Sequence, residues 1–230
     1  MKDIGEFLVS GVIPLDGEVT IFEVGAHVGS DSLKLRQCFP RARIHCFEPD
    51  PRNVFAFKQA GVHKVVTLVE AAVGAEDGTA EMFLSTGAPK RPDPNLKSGV
   101  WTYSSSLKPP RDHLRRFPWV KFEARAKVRV IRLDTYVEQQ GIGVVDFLWA
   151  DVQGAEDQLI AGGQRALART RYLYTEYADQ PLYEGQIPLD EIVRRLPGRW
   201  DVLARFPDDA LLRNAAFPAD PLPAYLGVTG

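Results

Sequence analysis

Ten residues constrain this chain more than any others: residues 20–29, TIFEVGAHVG. Thr20, Ile21, Phe22 and Val24 favour a strand, and Glu23 puts an acid near its C-terminal end. Gly25, Ala26, His27, Val28 and Gly29 form a glycine turn. Ser30 and Asp31 are placed to cap a helix whose apolar face starts at Leu33. Strand, glycine turn and helix start together hold nucleotide-like ligands. Glycine lets a ligand approach the backbone, and the helix start offers free N–H groups. The dinucleotide fingerprint requires G-x-G-x-x-G, whereas here Ala-His-Val separates the two glycines. An acid two residues before the first glycine suits a ligand with a positive group rather than a pyrophosphate. S-adenosylmethionine carries such a group in its amino-acid moiety.

With 230 residues, 45% of them hydrophobic, the chain has the length for one domain with a substantial core. A formal charge of −2 excludes a general nucleic-acid binder, which needs a basic footprint. Two cysteines, Cys38 and Cys46, are too few for a disulfide framework and fit a reducing cytoplasm. Neither a membrane span nor a signal peptide is expected. His27, His45, His63 and His113 are scattered, with no spacing for a metal site. A homo-oligomer is compatible with this composition.

Taken in order, residues 1–17 read as a helical piece and a turn. Strands follow at 20–24, 43–47, 64–70, near 80–84, 127–133, 144–150 and 171–177. Helices are expected at 30–39, 51–60, 134–140, 154–168 and 188–196, with a closing antiparallel pair at 200–206 and 210–214. Strands alternating with helices make a layered α/β domain with a mainly parallel sheet and helices on both faces. Its ligands bind beyond the carboxyl ends of the strands. Residues 85–126 break this rhythm. They hold six prolines, and from 90 to 121 eight Lys or Arg (90, 91, 97, 108, 111, 115, 116 and 121) face two Asp, 93 and 112. Such a stretch reads as a lid over the ligand, with Trp101 and Trp119 available to close on a ring. Its local excess of +6 points to an anionic acceptor.

The strand ends carry the chemistry. Glu48, 23 residues after Gly25, closes the second strand beside Pro49 and can accept both ribose hydroxyls. Glu70-Ala71-Ala72-Val73-Gly74 either leaves room for an adenine or lets two elements pack. Glu156 has a structural reason in the first turn of its helix. Asp151 has none, and it would face the glycine turn across the crevice. Glu176 is the fourth acid on the same edge, placed to bind substrate or to pair with an arginine.

These segments, IFEVGAHVGSDSLKL, HCFEPDPRNVFAF, VEAAVGAEDGTAEMFL, YSSSL, VRVIRLDTYV, VDFLWADVQGAEDQLIAGG and LYTEYADQPLYEGQ, together resemble the FkbM family of S-adenosylmethionine-dependent methyltransferases. The resemblance implies a Rossmann-like, seven-stranded class I methyltransferase fold. It also implies O-methylation of a hydroxyl on a sugar or natural product. By position it assigns Glu23, Gly25, Ala26, His27, Gly29, Glu48, Ala72, Ser104, Ser105, Ser106 and Asp151 to the cofactor region. Two positions depart from the family's usual pattern: His27 replaces Asn, and Gln153 replaces Glu in a segment that usually reads D-V-E-G-A-E. A nicotinamide-dependent oxidoreductase and a non-catalytic cofactor-binding module share this architecture and stand as alternatives. For catalysis, an alcohol needs a base. Asp151 is the first candidate and His27 the second; Glu176, His113 and Trp101 are expected on the acceptor side. No metal is expected, because Gln153 lowers the local charge.

Overall fold

The computed structural model describes residues 13, 17–88 and 99–218. The expected helical piece at the N-terminus lies outside the described residues. The strands are β1 (Thr20–Val24), β2 (Arg43–Phe47), β3 (Thr67–Val69), β4 (Ala72–Val73), β5 (Gly78–Gly87), β6 (Val120–Ile131), β7 (Val145–Ala150), β8 (Thr170–Glu176), β9 (Trp200–Arg205) and β10 (Asp209–Asn214). The helices are α1 (Ser30–Cys38), α2 (Pro51–Gln59), α3 (His113–Arg116), α4 (Leu133–Gln139), α5 (Glu156–Gly162), α6 (Gln164–Ala168) and α7 (Leu189–Arg195).

Seven strands form one sheet in the order β3-β2-β1-β7-β8-β10-β9, with only β10 reversed against its neighbours. Its strands are apolar on both sides because both faces are covered. In β1, Phe22 and Val24 join one buried cluster, and Ile21 joins another on the opposite face. The reversal of strand order falls between β1 and β7. Register then determines the site. Phe47, Val24, Ala150 and Thr175 lie on one row across four strands. The next residue of each strand leaves the sheet on the same edge: Glu48, Gly25, Asp151 and Glu176.

Four expectations are corrected. Ser30 does not cap α1: Gly29 occupies the cap position without a side-chain bond, and Ser30 is the first helical residue. Asp31 pairs with Lys34 instead. The expected third strand at 64–70 shortens to β3, because a 3₁₀ turn takes Val62–Lys64. The helix at 154–168 is two helices, broken where Gly162 and Gly163 meet. A Cβ on Gly162 would stand 1.9 Å from the Gly74 carbonyl oxygen, so its bare backbone lets α5 end against that turn.

The largest correction concerns 85–126. β5 and β6 pair antiparallel from Gly78↔Val130 to Gly87↔Val120, forming a long ribbon, with β4 alongside β6. Strand therefore replaces irregular chain at both ends of this segment. The ribbon covers a small core of Met82, Leu84 and Val128, packed with Leu107 and Ala126. The described link at its tip, residues 99–119, folds back over the strand edge of the main sheet. Its return half is tied down: Arg111 and His113 donate their N–H groups to the Leu182 carbonyl, and Glu184 donates to Pro109.

Candidate active site

Gly25 begins the site. Its φ is +95°, and a Cβ there would stand 1.9 Å from the Asp151 carbonyl oxygen. Glycine at this position therefore serves a backbone-to-backbone approach of β1 and β7. Gly29 is similar, since a Cβ would strike the Phe57 ring at 2.7 Å. The turn is held from both sides: Gly25 and Ala26 donate to the Phe47 carbonyl, and Asp151 donates its N–H to Val24.

The cleft above this turn has two lobes. The outer lobe, about 490 Å³, is lined by Glu23, Gly25, Ala26, His27, Asp151 and Glu176 at its base. Trp101, Tyr103, Ser104, His113 and Phe117 form its wall. The inner slot, about 60 Å³, runs between Glu48, Pro49, Ala71 and Ala72 on one side and Ser105 and Ser106 on the other. Gly25, His27, Tyr103, Asp151 and Gln153 line both lobes. Of the residues expected here, only Gly29 lines neither lobe. It stands behind the turn against α2.

Glu23 lies beneath α1, accepting a 2.5 Å hydrogen bond from the Ser32 hydroxyl and a longer one from the Cys46 thiol. Burial pushes its carboxyl up to about 8, although those two bonds favour the charged form. Glu48 accepts from the His27 N–H at 2.7 Å, the Asp50 N–H at 2.8 Å and the Asn53 amide. Burial pushes it, too, up to about 8, against the effect of those donors. Glu48 thus fastens the glycine turn to the end of β2, and its oxygens face the slot.

At the other end of the edge, the Gln153 amide nitrogen donates to Asp151 at 2.6 Å and to Glu176 at 2.9 Å. Burial raises both carboxyls, and Glu176 lies well above the usual range because the Asp151 charge adds to that burial. The bond from Glu176 lowers Asp151 while raising Glu176.

His27 sits at φ 51°, stacked on Tyr103 with ring centroids 3.9 Å apart, and its Nε2 lies 2.6 Å from the Thr102 hydroxyl. It joins the glycine turn to the roof of the cleft. His113 packs among Phe117, Phe122 and Tyr183, and burial depresses its imidazole to about 4. It contributes a neutral wall to the outer lobe. Trp101 donates its indole N–H to Ser104 and packs edge-on against Trp119. The three serines expected near the cofactor hold the roof in place. Ser105 donates to Asp50, Ser106 donates to the Gln153 carbonyl, and the Ser104 carbonyl lies 2.9 Å from the Tyr183 hydroxyl. Ser105 joins a knot in which Arg52 grips the fully buried Asp50 at 2.6 Å. Tyr103, Tyr183 and the bridging role of Gln153 escape a reading of spacing. Tyr183 sits 30 residues beyond Gln153, on a loop with no periodicity to mark it.

The sheet order, the single reversed strand and the acid-lined crevice where the order reverses define the Rossmann-like class I methyltransferase architecture. A solved structure agrees on the fold. WbdD aligns at a TM-score of 0.51 with 12% identity, covering 93% of this chain and 40% of that one. Aeropyrum pernix fibrillarin, solved with natively bound S-adenosyl-L-methionine, aligns at a TM-score of 0.46 with 15% identity, over 91% of this chain and 73% of that one. The methyltransferase FkbM domain matches residues 23–207. 2-O-methyltransferase NoeI of Sinorhizobium fredii (strain NBRC 101917 / NGR234) is 39% identical over 199 residues, 84% of this chain and 79% of NoeI. The chain belongs to the FkbM methyltransferase family. It is an O-methyltransferase using S-adenosylmethionine, which sets aside the oxidoreductase reading. Among the described residues no helix is long and apolar enough to cross a membrane.

Proposed function

We propose that this enzyme methylates one hydroxyl of a sugar, with S-adenosylmethionine held across the two lobes. Glu48 would hold the ribose hydroxyls, Ala71 and Ala72 would leave room for the adenine, and Glu23 would hold the methionine ammonium. The observation that carries the acceptor assignment is the wall of the outer lobe. Trp101, Tyr103 and Phe117 offer aromatic faces, and Gln186, Asp208 and Arg116 stand among them. Aromatic faces take the C–H faces of a pyranose, and a few polar groups fix its hydroxyls. NoeI, named a 2-O-methyltransferase, supports a hydroxyl oxygen as the methylated atom.

A neutral acceptor fits better than an anionic one. Four of the five cations between residues 108 and 121 are answered by acids: Lys108 by Asp157, Arg115 by Asp112, Arg116 by Asp208 and Lys121 by Glu123. The test is labelled methyl transfer from S-adenosylmethionine to a panel of neutral glycosides, their monodeoxy analogues, sugar phosphates and macrolides. Label on one ring hydroxyl, lost with the matching deoxy sugar, is the expected result. Label confined to macrolides or sugar phosphates overturns the assignment.

In the reaction, the acceptor oxygen attacks the methyl carbon in line with the departing sulfur, so alignment is the main task. Asp151, at the junction of the lobes, takes the hydroxyl proton. The C–S bond breaks, and neutral S-adenosylhomocysteine leaves with the methylated product. His27 we assign to closure rather than proton transfer, since Tyr103 and Thr102 engage its ring. The chemistry is metal-independent in this reading, because the Gln153 NH₂ group lies between the two carboxylates that would otherwise take a cation. Two free thiols support a reducing cytoplasm as its location.

Residues 99–119 act as the lid. Thr102 is held to His27, Ser105 to Asp50, Arg52 and Ser85, and Ser106 to Gln153 and, by a backbone pair, to Phe83. Amides of 99–107 should exchange at least tenfold faster than those of the β5–β6 ladder, and slow on cofactor binding. Exchange as slow as the ladder without cofactor would make them a fixed roof.

A further inference from the structure

Among the described residues, two non-glycine residues have positive φ, His27 at 51° and Gln153 at 50°, and both line the cleft. A left-handed residue other than glycine persists only where its surroundings over-determine it, and such residues concentrate at functional sites. His27 is explained by the closure described above. Gln153 has no such explanation, although every polar group of its side chain is engaged. Its NH₂ group meets Asp151 at 2.6 Å and Glu176 at 2.9 Å, and its carbonyl oxygen meets the Tyr183 hydroxyl at 2.9 Å. Its backbone carbonyl accepts from Ser106 at 2.7 Å. The following residue, Gly154, has φ +90° and carries the Tyr183 ring against it, with room for no Cβ: one there would stand 2.8 Å from the ring.

We infer that Gln153 and Tyr183 are positioning residues of methyl transfer: Tyr183 orients the Gln153 amide, and that amide holds Asp151 and Glu176 as a pair sharing one proton. This rests on Asp151 as the base. The chemistry requires such a device. Asp31 on α1, Asp209 on β10, Glu156 on α5 and Glu23 on β1 all bear on the pair or on one of its members, with Lys108 as a counter-charge beside Glu156. In that field two adjacent carboxylates would not both ionise, and either could keep the remaining proton. An amide whose oxygen is fixed by a hydroxyl donor can present only N–H groups to the acids. It therefore stabilises the carboxylate form without adding charge. Through its shorter bond, 2.6 Å against 2.9 Å, it favours Asp151 as the ionised member that receives the acceptor proton.

The variants Tyr183→Phe and Gln153→Asn probe this without removing an acid. The first deletes only the hydroxyl, which lies 2.9 Å from both the Gln153 amide oxygen and the Ser104 carbonyl. The second keeps an amide and suits a left-handed backbone, but is one methylene too short to span both acids. Single-turnover rates at saturating cofactor should fall about tenfold in each. The acid limb of the rate profile should move up by about one pH unit, because a lost hydrogen bond to a carboxylate disfavours its charged form. Cofactor affinity should stay within about threefold. Carboxyl ¹³C titration of the S-adenosylhomocysteine complex reads the same shift with no acceptor present, so a wrong acceptor class leaves the inference testable. Rates and carboxyl titrations matching wild type in both folded variants would overturn it. A wild-type Asp151 carboxyl that titrates independently of Glu176 would overturn it as well.

Discussion

Glu23→Gln is expected to make the ligand-free enzyme more stable at pH 8 while costing it most of its cofactor affinity. The sign follows from the raised carboxyl. Glu23 ionises near 4.5 when unfolded and near 8 in the fold. A group with a raised folded value favours the native state below its unfolded value, and that contribution is lost as pH rises through the folded one. The ligand-free protein should therefore lose stability between about pH 4.5 and 8. Glu48, also near 8, and Glu156, near 7, add to the trend with the same sign. Gln at position 23 keeps the Ser32 bond without the buried charge, and removes a penalty on the order of 4 kcal/mol at pH 8. The cofactor sees the opposite effect. A charge-assisted bond to its ammonium is worth about 1.5–3 kcal/mol, so affinity should drop about ten- to a hundredfold. Thermal unfolding from pH 5 to 9 and calorimetry at pH 8 check both halves. Unchanged affinity in the folded variant would remove Glu23 from the cofactor contacts.

The same reasoning accounts for the pH dependence expected of binding. An acid-lined crevice is strained while empty and relieved by a cationic ligand, an instance of stability yielded to function. Cofactor affinity should rise as pH approaches 8, with proton release measurable in buffers of different ionisation enthalpy.

The sheet was legible where apolar strands run straight into punctuation. β1 and β2 end where expected because a glycine turn and a Glu-Pro step follow them. The acid edge was legible for the same reason, since parallel strands in register deliver their next residues to one place. β6 was not. Residues 120–126, VKFEARA, do alternate apolar and charged, but the prolines and charges just before them mask that pattern. Arg125 covers Phe83, with its guanidinium 3.8 Å from the ring centroid. That long side chain hides an apolar contact inside a charged-looking stretch. Positive charge counted along 90–121 hides its partners in the same way, because Asp157 and Asp208 come from distant segments. The Gln153 bridge joins acids from two strands to a tyrosine from a loop, and depends on a left-handed backbone that residue type alone does not announce. His113 was expected on the acceptor side, within a lid. Its aromatic surroundings keep it neutral and fixed.

The central claim is that the acid edge after β7 and β8 both faces the cofactor and removes the acceptor proton through Asp151. Asp151→Asn isolates that step, because the amide keeps the size of the carboxylate and loses its basicity. A positioned base contributes about 10²–10⁴ in rate. The direct measurement is the single-turnover rate of Asp151→Asn at saturating S-adenosylmethionine, with cofactor affinity measured on the same protein. The account predicts a loss of at least about a hundredfold in rate, with affinity within about threefold of wild type. A wild-type rate, or a loss confined to cofactor affinity, would contradict it.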